Sequence, residues 1–398
     1  MNRRTRFVAT LAKRMPHPEP PNERYLARVR RPPTPTVLGR LVLGPLPRRL
    51  RVTDRELELP GGARPVRVYE PWPRTDDRPL PLVVNFHGGG FVFGNLAQTD
   101  WLCGHLATRV KAVVVSVSYR LAPEHPAPTP YEDCWAAANW LQRRAGELGA
   151  DGTRASVMGA SAGGNLAALV AIAHRDRCRE EADLAPLEHQ VLIYPATDLT
   201  LSSPSVLELP DAPLLTKDIM DWFGRRYLPQ GRPDSISSAD PRVSPLFAAD
   251  HRDLAPALIV AAGHDPLRDD AYRYAEALTA AGVPTRLVNQ PEAIHGFISL
   301  PTMSADAGET LDEIVATLSG DSPAPRGPGG GQPRKQPRRS VQRVGQSNAY
   351  VSPARRSRGG SGPGPAPRSR HPWPAGPAST GWPARTPRRS ACCGPWVR

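Results

Sequence analysis

No stretch of this chain approaches the roughly 18 consecutive apolar residues of a membrane-spanning helix, so a helical span is not expected. Cysteine is also scarce. Cys103, Cys134, Cys178, Cys392 and Cys393 form no even framework, and none has a Cys-x-x-Cys or Cys/His spacing that would hold a metal. This excludes a disulfide scaffold and a zinc module, and points to a reducing compartment. A secretory leader is not expected either. The start Asn2-Arg3-Arg4-Thr5-Arg6 is basic, but the apolar stretch from Phe7 to Leu11 is too short for a signal-peptide core and ends at Lys13-Arg14. Together these shortages predict a soluble, cytoplasmic protein.

Acidic residues are short only locally. The formal net charge of +13 divides unevenly: residues 1–51 carry 13 basic and 2 acidic side chains, and residues 321–398 carry 15 and 1. Residues 52–320 carry 23 and 35, a net of −12. The overall basic character therefore belongs to the ends, and the middle does not have the charge of a nucleic-acid-binding domain.

Three segments follow from this division. Residues 1–51 are rich in Arg and Pro, with weak helical patches around Arg3 to Met15 and Tyr25 to Arg31. From Arg64 onward, short β-branched runs alternate with amphipathic stretches, as a mostly parallel sheet flanked by helices requires. Strands are predicted at Pro65 to Glu70, Leu82 to Phe86, Ala112 to Ser118, Ala155 to Met158, Gln190 to Tyr194, Ala257 to Ala262 and Thr285 to Asn289. Helices are predicted at Thr99 to Val110, Pro130 to Leu148, Ala162 to His174, Thr216 to Tyr227, Asp269 to Ala281 and Ala305 to Leu318. Residues 198–250, with one predicted helix between Pro-rich stretches, are too long for a simple connection and read as an insertion over the sheet. The tail, 321–398, is rich in Arg, Pro, Gly and Ser and lacks apolar periodicity, so disorder is the expectation there.

Two glycine-rich motifs carry the chemistry. Gly159-Ala160-Ser161-Ala162-Gly163 follows the run Ala155-Ser156-Val157-Met158 and precedes an Ala-rich helix. In a G-x-S-x-G turn between strand and helix the serine hydroxyl is presented on a sharp elbow, and only glycine lets neighbouring backbone pass so close. A serine hydroxyl needs a histidine to accept its proton and a carboxylate to hold that histidine in the right tautomer. Asp265, in Gly263-His264-Asp265-Pro266-Leu267, and His295, in Ile294-His295-Gly296-Phe297, both follow predicted strands downstream, in the order Ser, Asp, His. Asp265 before Pro-Leu also suits a helix start. His264 adjoins the acid in sequence, and adjacent loop side chains diverge, so His295 is the preferred base. The second motif, His87-Gly88-Gly89-Gly90 after Leu82 to Phe86, offers backbone N–H groups to a developing oxyanion. His87 is expected to bond its own loop and is not assigned as a base.

These blocks, with Tyr119-Arg120-Leu121-Ala122-Pro123-Glu124-His125-Pro126, Asp265-Pro266-Leu267-Arg268-Asp269 and His295-Gly296-Phe297, resemble the hormone-sensitive-lipase-like family of bacterial carboxylesterases over roughly Val52 to Gly320. The resemblance implies an α/β-hydrolase fold with a helical lid and a catalytic triad of Ser161, Asp265 and His295. It also implies an oxyanion hole from the N–H groups of Gly89, Gly90 and Ala162, with Gly88 shaping the turn. Family members hydrolyse short- to medium-chain acyl esters without a cofactor. The run Leu215-Thr216, Met220-Asp221-Trp222-Phe223 and Tyr227 resembles the family's second cap segment, and Phe91, Phe93 and Trp222 are expected near the pocket. Three departures stand out: Ala160 where the family commonly has an acid, an N-terminal segment unusually rich in Arg and Pro, and the tail.

Other readings share these residues. The same triad cleaves amides, so an N-acetyl deacetylase remains open. A hydrolase-derived small-molecule binding protein would be expected to lack a triad residue, and none is missing. In the tail, Arg residues stand with Trp373, Trp382 and Trp396, a composition that can bind single-stranded nucleic acid. A shifted reading frame in GC-rich coding sequence gives the same composition. The expected partner is a small acyl ester; oligomeric state is not legible.

Overall fold

The computed structural model describes residues 10, 23–31, 43–74, 77–182, 184–231 and 235–321, all within the unit Met1–Pro328. The helical patch expected around Arg3 to Met15, apart from Thr10, and the tail beyond Asp321 lie outside the described residues. One eight-stranded sheet organises the rest, in the order β1-β2-β4-β3-β5-β6-β7-β8. Its strands are β1 (Leu50–Leu59), β2 (Gly62–Pro71), β3 (Leu80–Phe86), β4 (Val113–Val117), β5 (Ala150–Ala160), β6 (His189–Ile193), β7 (Ala257–His264) and β8 (Thr285–Ile294). β2 runs antiparallel to both β1 and β4, and every other pairing is parallel.

The central strands are apolar because helices cover both faces of a parallel sheet. All five residues of β4, Val-Val-Val-Ser-Val, are buried. β1, by contrast, reads Leu-Arg-Val-Thr-Asp-Arg-Glu-Leu-Glu-Leu and is mostly exposed. It is an edge strand, where charged side chains discourage pairing with another chain. That composition hides it from an apolar-run reading, and it is absent from the predicted strands. β8 also outruns its prediction, continuing through Pro291 to Ile294. Proline is tolerated there because β8 is the other edge.

Helices α1 (Glu23–Arg30), α2 (Asp100–Leu106), α3 (Thr129–Arg143), α4 (Ala162–Glu180), α7 (Arg268–Ala280) and α8 (Ala305–Leu318) lie close to the predicted positions. α2 runs on into a π-helical turn, Ala107–Lys111, which accounts for the longer predicted span. α8 buries Ala307, Leu311, Ile314 and Leu318, spaced by three and four residues along one face. They join the core cluster that contains Val114, Val191, Val260 and Phe297. Each fully buried Leu or Ile contributes about 1.5–3 kcal/mol, so α8 is held by packing as much as by propensity.

Between β6 and β7 the structure corrects the expectation of one helix. Two are present, α5 (Pro204–Glu208) and α6 (Lys217–Tyr227), followed by a 3-10 turn at Pro245–Phe247. Pro204 opens α5 at its first turn, where a missing N–H costs nothing; proline marked this stretch as a loop in the sequence.

A buried ion cluster ties β2 to α3. Asp133 accepts from Arg64 Nε at 2.9 Å and from Arg120 Nη2 at 2.7 Å, and its Oδ2 also accepts from the Arg120 backbone N–H. The parallel strands all end at the same edge of the sheet, the edge where open α/β sheets place their ligands. Phe86, Ala160, Ile193, His264 and Ile294 are the last residues of β3, β5, β6, β7 and β8.

Candidate active site

Ser161 stands between β5 and α4 with φ 58° and ψ −120°, a strained positive-φ conformation that a non-glycine residue adopts only when its surroundings impose it. Backbone contacts impose it. The Ser161 N–H donates to Ile193 O at 2.9 Å, and Ser161 O accepts from Asn165 N at 3.0 Å. The flanking glycines are required by close approach. A Cβ on Gly159 would lie 2.1 Å from Gly163 O, and one on Gly163 would lie 2.0 Å from Phe86 O. The elbow therefore presses directly on the end of β3.

His295 and Asp265 reach the same point from the next strand ends. The Ser161 hydroxyl donates to His295 Nε2 at 2.9 Å, and His295 Nδ1–H donates to Asp265 Oδ2 at 2.7 Å. Asp265 is fully buried, and its other oxygen, Oδ1, accepts the Leu267 N–H at 2.9 Å. Its capping role and its contact to histidine thus coexist, one oxygen for each. His264 instead lies in β7, paired with Ile294. The ring of Tyr194, itself at φ 35°, packs 4.8 Å from that of His295.

The glycine-rich turn after β3 folds back on itself, with Val92 N and Phe93 N donating to Gly89 O at 3.1 and 2.8 Å. Gly89, Gly90 and Phe91 all have positive φ, at 124°, 59° and 64°. None of the hydrogen bonds among the described residues uses the N–H of Gly89, Gly90 or Ala162. Gly88 faces the elbow, where a Cβ would lie 3.0 Å from Ala160 O. His87 behaves as its sequence context suggests. It is buried, donates from Nδ1 to Gly88 O at 2.9 Å and stacks on Tyr119, and burial lowers its pKa to about 4, so the ring is neutral. Ala160 is buried in the main core cluster with Met158 and Tyr194, so its methyl group is accommodated by packing.

A cavity of about 520 Å³ opens beside Ser161 and His295, and Gly90 and Ala162 also line it. Much of its wall is apolar, with Leu199, Leu201, Leu214, Leu215, Met220 and Phe223 contributed by the β6–β7 insertion. Two lining residues are acidic, Asp198 and Asp221, and Asp221 is paired with Lys217 at 2.7 Å. Asp198 is buried, and although burial opposes its charge, hydrogen bonds from Ser202, Thr200 and Arg273 hold its carboxyl below the usual range. Beside it, Asp270 on α7 accepts the Thr197 and Asp198 backbone N–H groups, both at 2.9 Å, and the Ser203 hydroxyl. Burial pushes Asp270 up to about 7, with the Asp198 charge adding to the rise. This pair fastens the pocket wall to the helix that follows Asp265.

Tyr194, Asp198 and Asp270 were not visible as site residues in the sequence. Tyr194 and Asp198 bracket the loop after β6, and the aromatic residue closing that apolar run was the only local signal. The Asp198 to Asp270 contact joins residues more than seventy positions apart, and no spacing rule announces it.

A serine on a strand-to-helix elbow, with a histidine and a buried aspartate on later strand ends of a parallel sheet, defines an α/β-hydrolase. The pattern of the alpha/beta hydrolase fold family Abhydrolase_3 matches residues 83–299. The chain is 43% identical over 270 residues to carboxylesterase NlhH of Mycobacterium tuberculosis, covering 68% of this chain and 82% of that one. It is 37% identical over 273 residues to an ethyl acetate hydrolase of Pseudomonas putida, covering 68% and 81%. Among solved structures, an α/β-hydrolase enzyme from the metagenome of Lake Arreo superimposes with a TM-score of 0.71 at 34% identity, covering 80% of this chain and 98% of that one. A hyperthermophilic esterase from Pyrobaculum calidifontis gives 0.67 at 36% identity, covering 79% and 97%. The chain belongs to the hormone-sensitive-lipase-like family of α/β-hydrolases.

Proposed function

We propose that this protein is a serine carboxylesterase that cleaves short- to medium-chain carboxylic esters through an acyl-enzyme. The observation that carries the reading is the line from Ser161 Oγ through His295 to buried Asp265, opening on a largely apolar cavity. Ser161 Oγ attacks the ester carbonyl carbon while its proton passes to His295 Nε2. Asp265 keeps the His295 proton on Nδ1, so Nε2 is free to accept. Negative charge gathers on the former carbonyl oxygen, and the N–H groups of Gly89, Gly90 and Ala162 are the donors assigned to it. Collapse breaks the bond to the alkoxy group, which leaves as the alcohol with the proton from His295. Water then attacks the acyl-enzyme as His295 takes its proton, and the carboxylic acid and free Ser161 are released.

No metal or cofactor enters these steps. We assign residues 52–320 as the catalytic domain and 198–250 as the lid, because that insertion supplies the cavity's apolar wall. Among the described residues no helix is long and apolar enough to cross a membrane. The free thiols of Cys103, Cys134 and Cys178 suit a cytoplasmic setting.

A panel of p-nitrophenyl esters of increasing acyl length, run on purified protein, tests the reading. Turnover is expected to be highest for short and medium acyl groups and to fall by about 10³-fold or more in Ser161→Ala. An inactive wild type, or a fully active Ser161→Ala, would refute it. The binding-protein reading has no observation in its favour, since serine and histidine are present and hydrogen-bonded.

A further inference from the structure

The turn assigned as the oxyanion hole is gripped from outside by both segments that lie over the sheet's carboxyl edge. From α6, the ring of Phe223 lies against Gly90 so closely that a Cβ there would be 2.4 Å from two ring carbons. Tyr227, one turn further along α6, stacks on Phe91 with centroids 3.8 Å apart and planes 6° from parallel. Trp222 and Phe223 both contact the ring of Phe93. From α1, Arg30 donates to Val92 O at 2.9 Å and Ala122 O at 2.6 Å, and makes a two-pronged contact to Glu124 at 2.9 and 3.0 Å. Ala122 N in turn donates to Phe91 O at 3.0 Å. Every residue from Gly90 to Phe93 therefore has a partner on one of these two segments or one bond removed from it.

The backbone needs that grip. Phe91 is a bulky residue held at φ 64°, a conformation that persists only where neighbours over-determine it. The ring stack with Tyr227 and the Arg30 bonds on either side supply the constraint. A few tenths of an ångström at Gly90 would move a backbone N–H off the position where oxyanion charge develops, and such donors act only when pre-aimed.

We infer that Phe223, Tyr227 and Arg30 are positioning residues for the oxyanion turn, so that the covering segments set transition-state stabilisation as well as pocket shape. The inference rests on the esterase reading above. Its alternative is that Phe223 and Tyr227 serve only as pocket walls.

The test compares wild type with Phe223→Leu, Tyr227→Leu and Arg30→Lys on p-nitrophenyl acetate, whose acyl group carries a single methyl and so makes the least wall contact, and on the octanoate. The expected result is a fall in kcat of about tenfold on both esters, with KM changed less than twofold. Affinity for a trifluoromethyl ketone, which forms a tetrahedral adduct with Ser161, should fall by the same factor, while inhibition by the matching secondary alcohol stays unchanged. Tyr227→Phe, which keeps the ring, should restore what Tyr227→Leu loses; the Tyr227 hydroxyl is buried and has no hydrogen-bond partner among the described residues. If the leucine variants do not fold, as judged by urea midpoints, Arg30→Lys decides alone, since it keeps the charge near Glu124 but cannot reach both carbonyls. Losses confined to octanoate with raised KM, or unchanged ketone affinity, would overturn the inference. A wild type that neither turns over esters nor reacts with a fluorophosphonate probe would instead remove the esterase reading itself.

Discussion

Asp265 uses its two oxygens for different partners, Oδ1 for the Leu267 N–H and Oδ2 for His295. In Asp265→Asn the amide oxygen can keep the Leu267 contact, which leaves an NH₂ donor facing His295 Nδ1. The ring then carries its proton on Nε2 and cannot take one from Ser161. Steady-state kinetics on p-nitrophenyl butyrate should show kcat reduced by about 10³- to 10⁴-fold with little change in KM. Asp270 gives a prediction of another kind. Its pKa rises from an ordinary carboxylate value to about 7 on folding, so between about pH 4 and 7 the folded state binds a proton that the unfolded state has lost. The contribution of Asp270 to stability should fall as pH rises through that window, by at most about 1.4 kcal/mol per pH unit, and level off above it, while His87, with its lowered pKa, contributes in the opposite direction. Urea unfolding across pH 4 to 8 should show the stability of wild type relative to Asp270→Asn falling as pH rises from about 4 to 7, and a difference that does not change with pH would refute the assignment.

At the scale of elements, the contact between β3, β5 and α4 decides whether the elbow forms. Gly163 lets α4 begin against the last carbonyl of β3, and an added methyl would have to displace backbone. Gly163→Ala should cost about 1–3 kcal/mol, read as a lower urea midpoint, and should lower turnover because Ser161 moves with the helix start. The elements legible in the sequence were those whose own side chains declare their burial. β4 and β6 are short apolar runs, and α8 shows its face through the spacing of Ala307, Leu311, Ile314 and Leu318. β1 was not legible, because an edge strand pairs through backbone and can carry Arg, Asp and Glu on its exposed positions. α5 was hidden by Pro204, which is compatible with the first turn of a helix as well as with a loop.

For the whole molecule, we propose that charge and catalysis are separable. Removing the tail after Gly320 takes the formal net charge from +13 to −1, since residues 321–398 carry 15 basic and 1 acidic side chains. We propose that esterase kinetics are unchanged in this truncation, because α8 ends at Leu318 and already fills its place in the core. Retention on a heparin column should fall with the lost charge. A truncated protein with altered kcat or KM would instead tie the tail to the catalytic domain.

The sequence by itself determined the candidate chemistry: which serine, aspartate and histidine, in which order, and which glycines flank them. Turns of this kind are local, and their φ values and close approaches admit few residue types, so they leave a readable mark. Only the tertiary structure decided what surrounds that chemistry. The apolar cavity wall, the Asp198 and Asp270 pair, the ring of Tyr194 beside His295 and the grip of Arg30, Phe223 and Tyr227 on the glycine turn are contacts between distant segments. Their geometry comes from how helices pack over one edge of the sheet, and many different side chains could have filled those places.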